Sequence, residues 1–482
     1  MDVVSVLKNK VVFYLASRYI TYAIQFITSL LIAAELGPYY MGIWGFILLI
    51  LQYFQQFHFG IANSFNVLYV HHKDNEQECN NYIGNSLLLV SYLTLLVVCF
   101  YLYYVFVGIN SLEKYHADKY VIWICLIALM QYFVQFFINL FRVKNQLNRV
   151  TFCQSIIVLL NFACVFFFRG DELIKWLVAG YVVGNAICVI LALTSGTVPF
   201  NKKVKINVKY QLEILKKGLF LFLYNSCFYF IIISVRTIIS SNYSVDEFGM
   251  FTFSYTLAHA FLLIMEALTF IVFPKIIYKL SSKDYSGVAQ TITMLRKSYI
   301  TSAHLLIYGA LICFPVILLF LPQYSDSLTC LNLIALTILM SANSFSYLEL
   351  LISNNKECLM AQLSAIALLI NGFIACVFVY MLQVSYSYVI IATMITYYFY
   401  TLSIVKCGNN ILKKKSLYET LKEQMPLRLV IPYLVAIIIT ILQFEMLIGL
   451  PLVVFLMFNF KELKSVIELT RKLLIKPEVV NL

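Results

Sequence analysis

The chain has 482 residues, 62% hydrophobic and only 12% charged, with a mean hydropathy of +0.85. Soluble domains carry roughly 25% charged residues, so this surface cannot be kept wet and must largely face lipid. The net charge of +12 does not call for nucleic acid, because its placement along the chain accounts for it.

A spanning helix needs roughly 20 apolar residues. Such stretches lie near 11–34, 43–70, 83–108, 121–141, 151–168, 174–193, 217–240, 249–273, 300–321, 328–352, 360–381 and 384–405. The first is too long for the core of a cleavable leader and lacks a small-residue cleavage site. The last apolar block, 429–460, is too long for one span and reads as a hairpin broken near Glu445 and Gly449. The expected total is about 14 helices.

The expected fold is all-α: a polytopic membrane protein of two pseudo-symmetric six-helix bundles plus a C-terminal helix pair. Its divisions fall at 1–200 (N-terminal six-helix lobe), 201–410 (C-terminal six-helix lobe) and 411–482 (terminal hairpin and basic tail). Four connections, Leu36–Gly42, Ser241–Glu247, Pro322–Ser327 and Gln383–Ser387, are too short to hold a folded domain. The longest connection, 194–216, is basic.

Lys and Arg collect in alternate gaps, about 29 of the 35 on one side, as expected when basic loops stay in the cytoplasm. The N-terminal Lys8 and Lys10, the Lys202–Lys217 run, Lys413 to Lys415 and the tail lysines all belong to that set. The pattern predicts a bacterial cytoplasmic (inner) membrane protein with both termini in the cytoplasm. Tyr39, Tyr40 and Trp44 fit an interfacial aromatic belt.

An internal repeat accompanies this layout. Gly42 and Gly249, each at the opening of a span, are about 207 residues apart. Asn145, Leu159 and Asn161 echo Asn355, Leu369 and Asn371 at an offset of about 210. Many secondary transporters are built from such repeats.

No motif for catalysis, a metal or a cofactor occurs: there is no GxSxG, HExxH or Walker loop, and the 12 Cys lack metal-ligand spacing. The informative signal is polar periodicity inside the spans. Arg18, Tyr22, Gln25 and Ser29 share one face of span one; Gln52, Gln56, Asn63 and Asn66 do so in span two; Gln131, Gln135, Asn139 and Arg142 in span four. Asn225, Tyr229, Arg236 and Ser240 form the set in span seven, and Tyr255, His259 and Glu266 in span eight. Lipid cannot solvate such faces, so they point at protein or water. Two readings stay open: a hydrated central cavity, or interhelical hydrogen bonds that hold the bundle together.

Arg18 lies roughly 10 Å along its helix from the basic end. An arginine at such depth is costly and usually functional, and its guanidinium suits bidentate contact with phosphate. Snorkelling to headgroups is the competing reading. For Arg236, snorkelling and function stand level, and Arg142 fits an ordinary basic-loop residue. The candidate substrate-binding set is Arg18, Gln25, Gln52, Gln56, Asn63, Gln135, Asn139, Arg142, Asn225 and Arg236. Glu266, Glu349 and His259 are the candidates for ion coupling, with a structural reading leading at Glu349.

The stretch Leu36–Gly37–Pro38 to Gly42–Ile43–Trp44, followed by Phe59–Gly60–Ile61–Ala62, resembles the opening of the polysaccharide flippases of the O-antigen (Wzx) type. These belong to the multidrug, oligosaccharidyl-lipid and polysaccharide exporter superfamily. In that family an acidic residue precedes the phenylalanine and glycine; here His58 stands in its place. The resemblance implies a flippase, not an enzyme, that moves an undecaprenyl-pyrophosphate-linked oligosaccharide repeat unit from the cytoplasmic to the periplasmic leaflet by alternating access through a cationic cavity. Arg18 is the best match to the cationic site. Membrane lipids, a polysaccharide polymerase and a chain-length regulator are the further partners implied, within O-antigen and lipopolysaccharide biosynthesis.

Two alternatives remain. A cation-coupled multidrug exporter of the same superfamily would need carboxylates inside the first half, where this chain has almost none. A membrane polysaccharide polymerase generally needs a sizeable extracytoplasmic loop, and the outer connections here are short.

Overall fold

The computed structural model describes residues 10–199, 204–280, 284–413 and 416–475; the side chains of 10–15, 262–278, 285, 465 and 467–475 lie outside that description. The helices are α1 (Lys10–Gln56), α2 (Ile61–His71), α3 (Glu76–Val107), α4 (Asn110–Lys114), α5 (Val121–Val143), α6 (Leu147–Phe167), α7 (Gly170–Thr194), α8 (Val208–Asn242) and α9 (Val245–Leu280). They continue as α10 (Tyr285–Phe320), α11 (Leu328–Ala342), α12 (Tyr347–Ser353), α13 (Glu357–Cys376), α14 (Ile391–Ile411), α15 (Leu417–Gln424), α16 (Leu427–Ile441) and α17 (Leu450–Ile475). Among the described residues, 11 helical stretches are long and apolar enough to cross a membrane, or up to 12 if the bent pair α15–α16 is one span. One of the 11, Ala16–His71, is 56 residues long and holds the first two spans expected from the sequence. The protein is an all-α, multi-span membrane protein.

The chain packs as two units. Residues 1–226 and 243–249 form one; 227–242 and 250–482 form the other. In the first, α1 lies along α6, α6 along α7, and α5 beside α3 and α7. Thr21 Oγ1 and Ser155 Oγ, 2.7 Å apart, join α1 to α6. Where a loop is expected at 36–42, the helix instead continues through a single kink. Gly37 has φ 65° and ψ 175°, a region open essentially to glycine alone. Pro38 then starts the next helical segment, where its missing N–H costs nothing.

The basic connection after α7 is pinned rather than loose over the part described. Asn81 and Asn85 of α3 act as surrogate peptide groups. Asn81 Oδ1 accepts from the Lys205 N–H at 2.9 Å and Asn85 Oδ1 from the Asn207 N–H at 3.0 Å, while Asn85 Nδ2 donates to the Lys205 carbonyl at 2.8 Å. An amide side chain offers both donors and acceptors, so two residues satisfy an extended segment that has no strand to pair with.

In the second unit α11 is central, packed against α10, α14 and α16, and α16 and α17 form the terminal hairpin, with its turn at Glu445–Leu447. The single span expected over 328–352 is broken at Asn343–Ser346, where Ser346 has φ 69°. Arg296 of α10 repairs the break. Its Nη1 donates to the carbonyls of Asn343 (2.6 Å) and Phe345 (3.0 Å), and its Nη2 to those of Glu423 (2.7 Å) and Gln424 (3.1 Å) at the end of α15. The guanidinium also sits 5.0 Å from the ring centre of Tyr347, whose hydroxyl donates to Glu423 Oε2 at 2.6 Å.

The internal repeat is visible in each unit. Asn145 (φ 57°) and Asn355 (φ 53°) end equivalent helices in the left-handed conformation. In both turns the next residue's N–H reaches back five positions, Gln146 to Phe141 and Lys356 to Leu351, the Schellman pattern. The stacked pair Phe46–Tyr115 (4.3 Å) has its counterpart in Phe253–Tyr324 (4.2 Å).

Arg296→Lys is expected to lower stability by at least about 2 kcal/mol, because an ammonium cannot reproduce the planar fork and leaves buried carbonyls unpaired. Thermal unfolding of the detergent-solubilised protein measures this, with Arg149→Lys, a partly exposed site, as the comparison.

Candidate functional site

Arg18, Tyr22, Gln25 and Ser29 line one face of α1. Arg18 Nη2 donates to the Tyr22 hydroxyl at 2.7 Å and its guanidinium carbon lies 4.5 Å from that ring's centre. Gln25 is exposed and Arg18 half-buried. The opposite face carries Ile20 and Ile27, 61% and 47% exposed, while buried Thr21 and Thr28 look toward α6. At 100° per residue the arginine stripe and the open isoleucine stripe are on opposite sides. Exposed isoleucine is what lipid solvates, so Arg18 projects away from the side suited to lipid.

The second stripe is not continuous. The helix stops at Gln56 and restarts at Ile61, and Phe59 (φ 47°) and Gly60 (φ 69°) make the break. Gln52 and Gln56 therefore belong to one segment and Asn63 and Asn66 to another, which corrects the single stripe expected. His58 holds the break together: its Nδ1 accepts the Gly60 N–H at 2.9 Å, and its ring packs edge-on to Phe222 at 5.3 Å. Ser226 Oγ donates to the freed Gln56 carbonyl at 3.4 Å. An aspartate would make the same acceptor contact, so the departure at His58 preserves this turn.

Several polar residues serve the bundle. Asn66 Nδ2 donates to Asn139 Oδ1 at 2.7 Å, Asn139 Nδ2 to the Gln135 carbonyl at 2.9 Å, and Gln55 Nε2 to Gln131 Oε1 at 3.3 Å. Asn139 is thus tied into the packing of α2 on α5. Gln52, Gln56, Asn63 and Gln135 are half-buried, and Arg142 and Asn225 are exposed. Trp44 does not sit in an interfacial belt; it is 4% exposed and packs edge-on against Tyr181 at 5.7 Å.

In the second unit, Arg236 is 1% exposed, which excludes snorkelling. Its guanidinium carbon lies 4.8 Å from the ring centre of Tyr255, and His259 stacks on the same ring at 4.4 Å. Arg236, Tyr255 and His259 therefore form one cluster between α8 and α9. Glu349 is buried in the first turn of α12, beside the Ser346 backbone and within reach of the Arg296 charge. It belongs to the repaired helix break. Glu266 lies among the residues whose side chains fall outside the description. Arg296 and His58 escaped the periodicity argument, since one sits in a basic gap and the other on a break; the polar run Ser341–Ala342–Asn343–Ser344 inside an apolar span was the available sign of the second break.

The repeat-related glycines meet in the first unit. A Cβ on Gly42 would overlap the Val245 carbonyl, and one on Gly249 would overlap the Pro38 carbonyl. With an offset of 207, Pro38 corresponds to Val245 and Gly42 to Gly249. Each segment thus makes to the other the contact it receives, as two-fold related surfaces do.

A family model described as polysaccharide biosynthesis protein matches residues 7–280, more than half of the chain. The chain belongs to that family. Among solved structures it is similar to one described as the lipid II flippase MurJ in an inward closed conformation, with a TM-score of 0.69 and 15% identity over 95% of this chain and 100% of that one. It is also similar to an inward-facing multidrug resistance MATE family transporter of the MOP superfamily, with a TM-score of 0.64 and 10% identity over 83% and 95%. No curated protein matches it by sequence. At these identities the structural likeness is one of fold. This member of the polysaccharide biosynthesis family shares the fold of those MurJ and MATE structures.

The acceptor role of His58 makes its replacement testable. His58→Asp is expected to keep the midpoint of thermal unfolding, and His58→Leu to lose about 1 kcal/mol through the unpaired Gly60 N–H. Equal loss in both variants would show that the Nδ1 contact does not hold the break.

Proposed function

We propose that the protein is a flippase for an undecaprenyl-pyrophosphate-linked oligosaccharide repeat unit, carried from the cytoplasmic to the periplasmic leaflet of the bacterial inner membrane in O-antigen-type polysaccharide biosynthesis. The observation that carries this reading is Arg18, half-buried in a polar stripe that points away from the exposed isoleucine face of its helix. A guanidinium at that depth offers paired donors to a pyrophosphate. Gln25 and Ser29, further along the stripe, are hydrogen bonders suited to sugar hydroxyls. Among the described acidic residues of the first half, Glu35 sits two residues before the Gly37 kink and pairs with Arg169 at 2.7 Å, and the others lie at helix ends and in connections. A lobe so built favours an anionic cargo over a cationic drug.

The positive-inside pattern puts both termini in the cytoplasm and the 37–42 and 243–249 segments at the periplasmic end. Repeat-built transporters work by moving one repeat against the other. The reciprocal glycine contact is where repeat-related backbones touch, so its parting is the step that exposes cargo to the periplasm.

Arg18→Ala is expected to abolish surface polysaccharide at unchanged protein level, with Arg18→Lys restoring part of it; normal polysaccharide in the alanine variant would reject the role. Reporter fusions after Ser244 and Tyr324 should read periplasmic and those at Lys205 and Lys414 cytoplasmic. The reverse pattern would overturn the orientation.

A further inference from the structure

The second unit contains a cavity of about 840 Å³ walled by α11, α14, α15 and α16. It begins beneath α15, at Tyr418, Leu421 and Lys422, and runs down α16 past Val430 to Ile437. Helix α15 meets α16 at 58°, the elbow of a short amphipathic helix joined to a spanning one. Leu417, Tyr418, Leu421 and Leu427 are exposed apolar residues around the elbow.

The walls define the occupant. Met340, Met394, Val430 and Ile437 present hydrocarbon. Two of the polar side chains in the wall are already engaged: Gln424 Nε2 donates to the Tyr398 carbonyl and to Thr401 Oγ1, both at 2.7 Å, and the Tyr433 hydroxyl donates to the Leu336 carbonyl at 3.0 Å. The lining that remains is mostly hydrocarbon, which suits an apolar chain better than a sugar or a peptide backbone. The length decides between apolar chains. From Leu427 to Ile437 the helix rises about 15 Å, half of a hydrocarbon core roughly 30 Å thick. That is the depth of one leaflet, suited to an acyl chain and too short for an extended polyprenyl chain. At the rim stands the exposed Lys422, in the stretch 406–428 that also carries Lys406, Lys413, Lys414 and Lys415. Basic pockets between spanning helices select anionic headgroups.

We infer that the elbow of α15 and α16 is a binding site for an anionic phospholipid, one acyl chain filling the cavity and the headgroup phosphate on Lys422. The site is separate from the Arg18 stripe and does not depend on the cargo proposed above. A bound lipid there ties α15, and through the Glu423 and Gln424 carbonyls Arg296 and the α11–α12 break, to the surrounding leaflet.

The test uses the full-length protein reconstituted in nanodiscs of mixed phosphatidylglycerol and phosphatidylcholine, with co-purifying lipid counted by native mass spectrometry. Wild type is expected to retain phosphatidylglycerol over phosphatidylcholine. Lys422→Gln should lower phosphatidylglycerol retention about fivefold and leave phosphatidylcholine unchanged. Met394→Trp, which fills the cavity, should lower retention of both; Val430→Phe reads the same quantity if Met394→Trp does not fold. Equal retention of the two lipids by wild type, unchanged retention in Lys422→Gln or in a folded cavity-filling variant, or displacement of phosphatidylglycerol by equimolar undecaprenyl phosphate would overturn the assignment.

Discussion

Hydrocarbon offers no hydrogen-bond partner, so every backbone group released when a spanning helix breaks must be satisfied from within the protein. Three interruptions show how this chain meets that demand. At Gly37 the kink is followed by Pro38, which has no N–H to satisfy. At 57–60 the imidazole of His58 takes the Gly60 N–H and Ser226 supplies a hydroxyl to the Gln56 carbonyl. At 343–346 the released groups include carbonyls, and a guanidinium is the group that can donate to several at once. Arg296 donates to two of them and to two further carbonyls. Because two lie at the end of α15, repairing the break also fixes where the amphipathic helix stops and the terminal hairpin begins.

The same constraint sorts the polar side chains of the spans into two kinds. Asn66 with Asn139, and Thr21 with Ser155, hydrogen-bond to each other across helix interfaces. Asn371 does so most completely: it donates to the Ile231 carbonyl and Ser234 Oγ, and accepts from Thr393 Oγ1. Gln25 and Asn225 remain exposed. A stripe in a sequence does not reveal which kind its members are, since both arise from the same 3.6-residue period. Only the position of the neighbouring helix separates them.

Spacing and charge made much of the fold legible. Apolar length set the spans, and the 207 and 210 offsets, found in the sequence, recur as matched Schellman turns and matched stacked rings. Breaks inside spans were hidden because apolar length is blind to a few residues of left-handed backbone: Phe59 is as apolar as its helical neighbours. The pinned segment 205–207 was hidden for another reason. Asn81 and Asn85 read as an ordinary polar helix start, and their pairing with the Lys205 and Asn207 backbone spans more than 120 positions. The site was legible in part. The depth of Arg18 and its stripe could be counted off, whereas the four carbonyls that engage Arg296 lie 47 to 128 positions away along the chain.

Arg18, Arg236 and Arg296 each lie inside a long apolar helix, and their surroundings differ. Arg296 is buried and committed to four carbonyls, so a ligand phosphate would have to displace bonds that hold a broken helix. Arg236 is 1% exposed against Tyr255, where cation–π attraction offsets part of its desolvation, but no anion can reach it without repacking α8 on α9. Arg18 is hydrogen-bonded within its own helix to Tyr22, which orients the guanidinium while leaving it half-exposed. A site that must take up and release a charged cargo needs a cation that is positioned but not saturated, since a saturated one cannot bind and an unsupported one would be drawn to the headgroups. On the reading proposed above, Arg18 is the one of these three that meets both requirements, with the tyrosine four residues along, one helical turn away, holding its guanidinium.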